Sequence, residues 1–262
     1  MKKYFFFLLL LLNCDSLYAQ STKYVPQILV LGTVHSGNKK ITHNSLYNAL
    51  AKFQPDVILW EDEEDFKYVF GLFTAYRLKI AKPPMEQLAL QKYKRHHKMV
   101  PMLGFDTIIK PRKTFIKNLI TTYDDFHEAM GQLKMNLSDS LQYATFIKLQ
   151  DAYYNQFMFS SLSFINQDSV FRKSMEIKKM ENEIASIAGN YNMDSTILAA
   201  YTFQNRFWDT RNQYMVNKII EIAKQRSPKK IAIITGLSHK YYLVDMLSLT
   251  SEFPVQLVPV TN

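Results

Sequence analysis

The 262-residue chain predicts an α/β fold: a central mixed, mainly parallel sheet flanked by helices, with a large helical insertion between the third and fourth core strands. Three observations predict it. Short runs rich in Val, Ile and Leu are bounded by Pro, Gly or charge, as expected of strands covered on both faces. Helical patterns alternate with those runs at both ends of the chain, the rhythm of a sheet with connecting helices. From about residue 112 to 210 the strand signal stops and long amphipathic stretches with few glycines replace it.

The strands expected are "PQILVLG" (26–32), "PDVILWE" (55–61), "KMVPMLGFD" (98–106) and "KKIAIITG" (229–236). A fifth, "PVQLVPV" (254–260), belongs at an edge because Pro259 interrupts it. Leu46, Leu50 and Phe53 are spaced i, i+4, i+7 ahead of the second strand, and Met215, Ile219 and Ile222 repeat that spacing ahead of the fourth. In the middle, "FIKNLITTYDDFHEAMGQL" and "SVFRKSMEIKKMENEIASIAG" read as helices of a cap over the sheet. No short-period repeat or low-complexity linker divides the chain, so residues 21–262 are expected to form one unit.

Composition narrows the function classes. With 47% hydrophobic and 14% aromatic residues the chain can bury a core, which excludes disorder. The formal charge is +9, but Lys and Arg are scattered among aromatics and carboxylates, and no nucleic-acid partner is expected. The densest basic run, "KYKRHHK" (92–98), reads as a solvated helix end. The first twenty residues, "MKKYFFFLLLLLNCDSLYAQ", have two lysines, an apolar run from Tyr4 to Leu12 and a small-residue exit. They are expected to be a secretory signal peptide cleaved after Ala19, and the mature protein to be exported, periplasmic or secreted. Cys14, the single cysteine, lies inside that segment. A lipid anchor there would be the route to a membrane, but Asn13 stands where a small residue usually precedes a lipidated cysteine. A mature chain without cysteine excludes disulfides, thiolate metal sites and a cysteine nucleophile.

Each expected strand delivers a polar group at its C-terminal end: His35 in "GTVH", Glu61, Asp106, and His239 in "GLSH". Ligands of open α/β sheets bind beyond those ends. Gly32, Gly104 and Gly236 sit at the same exits, where glycine permits a sharp turn or close backbone approach. Two imidazoles with one or two carboxylates suit Zn, Mn, Fe or Co, with a metal-bound water as nucleophile and a spare carboxylate as base. Without a metal the same groups form a His/Glu acid–base pair, and spacing does not choose between the two. Asp106 serves equally as a cap for the next turn. The later members of "EDEED" (61–65) read as a solvated helix start. Arg211 and Asn212, in "WDTRNQYM", are expected to open the helix before the fourth strand, with Asp209 or Thr210 as N-cap. An arginine there stabilises an oxyanion, clamps a carboxylate, or pairs with Glu61 or Asp106. His43, His96, His97 and His127 read as surface residues.

"GTVH" (32–35), Glu61 in "VILWE", "RNQYMVNKI" (211–219) and "GLSH" (236–239) together resemble the TraB/GumN/Tiki group of proteins. The likeness covers roughly residues 26–62 and 205–250 and does not extend to the helical middle. It implies a fold shared with erythromycin esterase-like and ChaN-like haem-uptake proteins. It further implies a hydrolase of a peptide or ester, foremost a metal-dependent peptidase of Tiki type using Mn, Co or Zn. His35, Glu61 and His239 would be metal ligands or catalytic groups, and Arg211 a supporting charge. Asp106 comes from the strand pattern alone. A haem-binding protein is the other class: "HKYY" (239–242) and "AYYNQFMF" (152–159) offer axial ligands, although ordinary helix packing explains the second stretch as well.

Overall fold

The computed structural model describes residues 25–34, 38, 40–107, 112–251 and 253–260. The expected signal peptide, Cys14 and His35 lie outside these residues. The fold is α/β. Its sheet runs β1 (Gln27–Thr33), β2 (Val57–Trp60), β3 (Met102–Gly104), β4 (Lys230–Gly236) and β5 (Gln256–Leu257) in the order β3-β2-β4-β1-β5. Every pairing is parallel, so the sheet is not mixed. The third strand is much shorter than 98–106, because residues 98–100 form a turn ahead of Pro101. The fifth keeps two residues between Pro254 and Pro259.

Helices α1 (His43–Phe53), α2 (Leu72–Arg77) and α3 (Met85–His96) precede β3. Then come α4 (Arg112–Gln132), α5 (Leu137–Phe157), α6 (Leu162–Ile165), α7 (Asp168–Asn190) and α8 (Ser195–Arg226), and finally α9 (Leu237–Leu249) after β4. Alternation along the buried strands feeds two cores. Leu29, Leu31, Ile58 and Ile234 face Leu46 and Leu50 of α1, Leu90 of α3, and the helical insertion. Ile28, Val30, Leu59 and Ile233 face Met215, Ile219 and Ile222 of α8 and Leu243 and Leu247 of α9. The periodic residues expected on both helices are therefore the buried ones.

Strand β4 enters late, between β1 and β2, with Gln27↔Lys230 through Thr33↔Gly236 in register. The connection leaving β2 runs toward the β3 edge and that leaving β4 toward the β5 edge. Neighbouring strands whose connections part in this way leave a crevice at their carboxyl ends.

Two further expectations change. The helix before β4 does not begin at Arg211: α8 runs unbroken from Ser195, and its N-cap is Asp194, whose side chain accepts from the N–H groups of Thr196 and Ile197. The insertion therefore passes into the core helix without a boundary at 210. His127 is no surface residue either. Its ring packs among Tyr123, Phe126, Tyr143, Phe146 and Tyr201, with Nδ1 3.0 Å from the Tyr143 hydroxyl and Nε2 buried without a hydrogen-bond partner.

A Cβ at Gly104 would lie 2.6 Å from the Asp62 carbonyl oxygen and 2.8 Å from that of Glu64. These are backbone atoms that cannot swing aside. Gly104→Ala should therefore cost about 1–3 kcal/mol in urea unfolding. Gly131→Ala, in α4 with nothing within 4 Å, should instead be neutral or stabilising by up to about 1 kcal/mol. Burial holds His127 down at about 4 from its ordinary 6.5, with Asp124 pulling weakly the other way. Between those values the unfolded chain binds a proton that the folded one refuses, so stability is lost as pH falls through that window. Urea midpoints compared at neutral pH and about pH 5 should show a smaller acid loss for His127→Phe than for the wild type.

Candidate active site

The crevice between β2 and β4 is where Glu61, Asp106, Arg211 and His239 meet. Glu61 is fixed first by its backbone, whose N–H donates to Ile234 O of β4 at 3.0 Å. Its carboxylate Oε2 then accepts from Thr235 Oγ1 at 2.8 Å and from the N–H of Gly236. Its Oε1 accepts from Arg211 Nη2 at 3.2 Å and lies 3.5 Å from His239 Nε2. Gly236 is the N-cap of α9 with φ −60° and ψ 145°, an ordinary extended backbone.

Asp106 follows β3, where it caps the next turn and pairs with Arg211. Oδ1 caps the Thr107 N–H at 2.7 Å and accepts from Arg211 Nε at 2.9 Å, while Oδ2 accepts from Arg211 Nη2. This is the bidentate fork that a planar guanidinium makes with a carboxylate. Helix α8 supplies Arg211 and Asn212 from its middle, both buried. Three residues earlier on the same helix, Trp208 stacks on His239 with ring centroids 4.1 Å apart and planes at 22°.

The hydrogen bonds of His239 define its protonation. Arg211 Nη1 lies 3.0 Å from Nε2, and arginine only donates, so Nε2 is the acceptor. Nδ1 then carries the hydrogen and donates to Asn212 Oδ1. That pattern of bonds is the one a neutral imidazole makes. Arg211 remains charged: burial opposes the charge, but bonding and attraction to Asp106, then Glu61, outweigh it and hold the pKa above the ordinary arginine range.

Beside β1 lies a second polar group that the strand-end pattern does not reveal. Glu86, in the first turn of α3, is 6% exposed and its Oε1 lies 2.6 Å from Thr33 Oγ1, two residues before His35. Asn166 accepts from Gly32 N–H at 2.8 Å and donates to Gly32 O at 3.0 Å. Lys240 donates to the Asn166 carbonyl at 3.1 Å and its side chain at 2.7 Å, and burial pushes its ammonium down to about 8 against the pull of Asp168. Thr235 and Lys240 adjoin the second motif and were within reach of sequence reasoning. Glu86, Asn166 and Trp208 carry no local signal, since each arrives from a distant element.

The acidic run 61–65 is a loop, not a helix start: Asp62 Oδ1 caps Glu63 and Glu64, and Asp65 Oδ1 accepts from Gly104 N–H. Of the aromatics considered for haem, Tyr153, Phe157 and Tyr241 lie in the core, whereas Tyr154 and Phe159 are exposed. The Tyr241 hydroxyl points at Ile165 O 3.5 Å away. For a metal, the donor set matters more. Glu61, Asp106 and His239 do converge, but on the Arg211 guanidinium, which already holds Nε2 of His239 and both carboxylates. Among the described residues no three His, Cys, Asp or Glu form a metal-binding group. The described donors are thus arranged around a guanidinium.

Removing that cation tests the cluster. Arg211→Met leaves two desolvated carboxylates facing each other and should cost about 3–5 kcal/mol in urea unfolding. Arg211→Lys, which restores the charge without the fork, should recover only part of the loss.

No protein-family model, no curated protein and no solved structure matches this chain, so function is argued from the geometry of the crevice.

Proposed function

We propose that the chain is an exported hydrolase of a peptide or ester bond that works without a resident metal, through His35, Glu61, Arg211 and His239. The observation that carries this reading is the guanidinium of Arg211 held at once by Glu61, Asp106 and the Nε2 of His239. Export rests on the amino-terminal segment alone.

The roles follow from what each group has left to offer. Four of the five Arg211 N–H donors have acceptors among the described residues, and the fifth, on Nη1, has none among them and would serve a developing oxyanion. Glu61 accepts several hydrogen bonds, which favours its charged form and makes it a poor base but a firm anchor for the arginine. The lone pair of His239 Nε2 is engaged, so His239 orients Arg211. Proton removal from water then falls to His35 of the first motif, two residues beyond the end of β1. Water oxygen bonds to the carbonyl carbon as His35 takes its proton. Arg211 receives the charge on the carbonyl oxygen. The bond to the leaving nitrogen or oxygen breaks as the protonated His35 returns that proton to it.

The metallopeptidase reading that the resemblance implies would require Arg211 to leave His239 and Glu61. A panel of peptides and esters, assayed with and without a chelator, separates the two. Hydrolysis should survive chelation, fall about 10²- to 10⁴-fold in His35→Gln, and fall about 10²- to 10³-fold in Arg211→Lys. A stoichiometric transition metal whose removal abolishes turnover and whose return restores it would establish the metal-dependent mechanism instead.

A further inference from the structure

The chain's net charge is concentrated where its apolar surface is. Residues 67–98 hold eight Lys and Arg but a single carboxylate, Glu86, and so carry +7 of the total +9. Glu86 is buried beside Thr33, and just outside the stretch Glu64 pairs with Lys67 at 3.0 Å. The cations are spread along the chain, as the sequence suggests; it is the carboxylates that are missing here.

The same stretch exposes large apolar side chains. Phe70 is 96% exposed, Ile80 77% and Leu78 65%, with Tyr68 and Val69 partly exposed beside them. All belong to the segment around α2. Such contiguous apolar exposure marks an interaction surface. The segment is also held in place. Gln91, buried on α3, accepts from the Val69 N–H at 3.1 Å and donates to its carbonyl. At the far end the N–H groups of Ile80 and Ala81 both donate to Ala75 O, at 2.9 and 3.2 Å, across a left-handed Lys79. An ordered loop thus presents Phe70, Leu78 and Ile80 outward.

Between α2 and α3 lies an open cleft of about 540 Å³ lined by His43, Phe73, Tyr76, Arg77, Lys92 and Arg95 among others. No carboxylate is among the described residues that line it. Its imidazole at His43 is packed against Phe73 and Tyr76, and Lys92 donates to Asn44 at 2.8 Å. Arginine and lysine in a carboxylate-free cleft suit an anionic headgroup, and the exposed apolar side chains on either side of α2 in the chain suit the acyl region beneath it.

We propose that the face formed by residues 67–98 docks the protein on an anionic lipid bilayer, with Phe70, Leu78 and Ile80 inserted and Arg77 and Arg95 on lipid phosphates. The contact is peripheral. Among the described residues no helix is long and apolar enough to cross a membrane.

The test places a fluorescent reporter on this face. Phe70→Trp and, as reference, Leu249→Trp (71% exposed, on α9) are made in the full chain, and the signal of Trp60 and Trp208 is subtracted. On vesicles containing phosphatidylglycerol, Trp at 70 should shift to the blue and be quenched by brominated lipid, whereas Trp at 249 should not. Pure phosphatidylcholine should leave both unchanged. Adding Arg77→Ser and Arg95→Ser should reduce the response at 70 by roughly thirty-fold in apparent partitioning. Three results overturn the proposal. One is a Trp at 70 that stays solvated on anionic vesicles. Another is an equal response at 70 and 249, which would assign membrane contact to the apolar amino-terminal run. The third is inorganic phosphate perturbing the His43 and His96 resonances with no vesicle response at 70, which would make the cleft a site for a soluble anion.

Discussion

Arg211 is the cation on which this arrangement depends. It ties the exit of β2, through Glu61, to the exit of β3, through Asp106, and to the first turn of α9, through His239. Each buried ion loses several kcal/mol of hydration, and the loss is offset only where geometry and hydrogen bonding are good. Here the fork on Asp106 and the further bonds of Glu61 to Thr235 and Gly236 meet that condition. The same guanidinium determines which nitrogen of His239 carries a hydrogen, so charge placement, tautomer and helix docking are one constraint.

Buried side-chain amides do comparable work where the sheet stops short. Strand β5 pairs with β1 only at Gln27 and Ile28, leaving the outer edge of β1 uncovered further along. Asn166 fills that edge at Gly32, accepting from the N–H and donating to the carbonyl as a neighbouring strand would. A Cβ at Gly32 would meet Leu237 and Lys240 side chains at 2.9 Å, so glycine here leaves room for those side chains and does not answer an unusual φ. Asn166 also accepts from Lys240, which seats the helical insertion directly against the strand that leads to His35. Gln91 repeats the device at Val69.

Helix α3 connects the two regions to which we assign function. Its first turn places Glu86 beside Thr33, and its C-terminal half carries Lys92, Arg95 and His96 to the basic cleft. Acid at the start and base at the end both complement the helix dipole. Twelve residues at 1.5 Å each span about 18 Å, so the polar group beside β1 and the proposed lipid-facing surface are separate places on one helix.

Strands buried on both faces leave continuous apolar runs, and helices with one buried face leave i, i+4, i+7 spacing. For that reason the alternating elements, and Glu61, Asp106 and His239 just past their strands, are legible in the sequence. The start of α8 is not. "WDTR" has the residue types of a cap, yet continuous helical hydrogen bonding overrides them, and the operative cap is Asp194. His127 reads as exposed because its burial comes from Tyr143, Phe146 and Tyr201 on other helices. By itself the sequence determined the α/β class and the polar groups gathered at the strand ends, since both follow from local periodicity. Only the tertiary structure decided that those groups close around Arg211, because which charges share a desolvated crevice depends on strand order and on contacts more than a hundred residues apart.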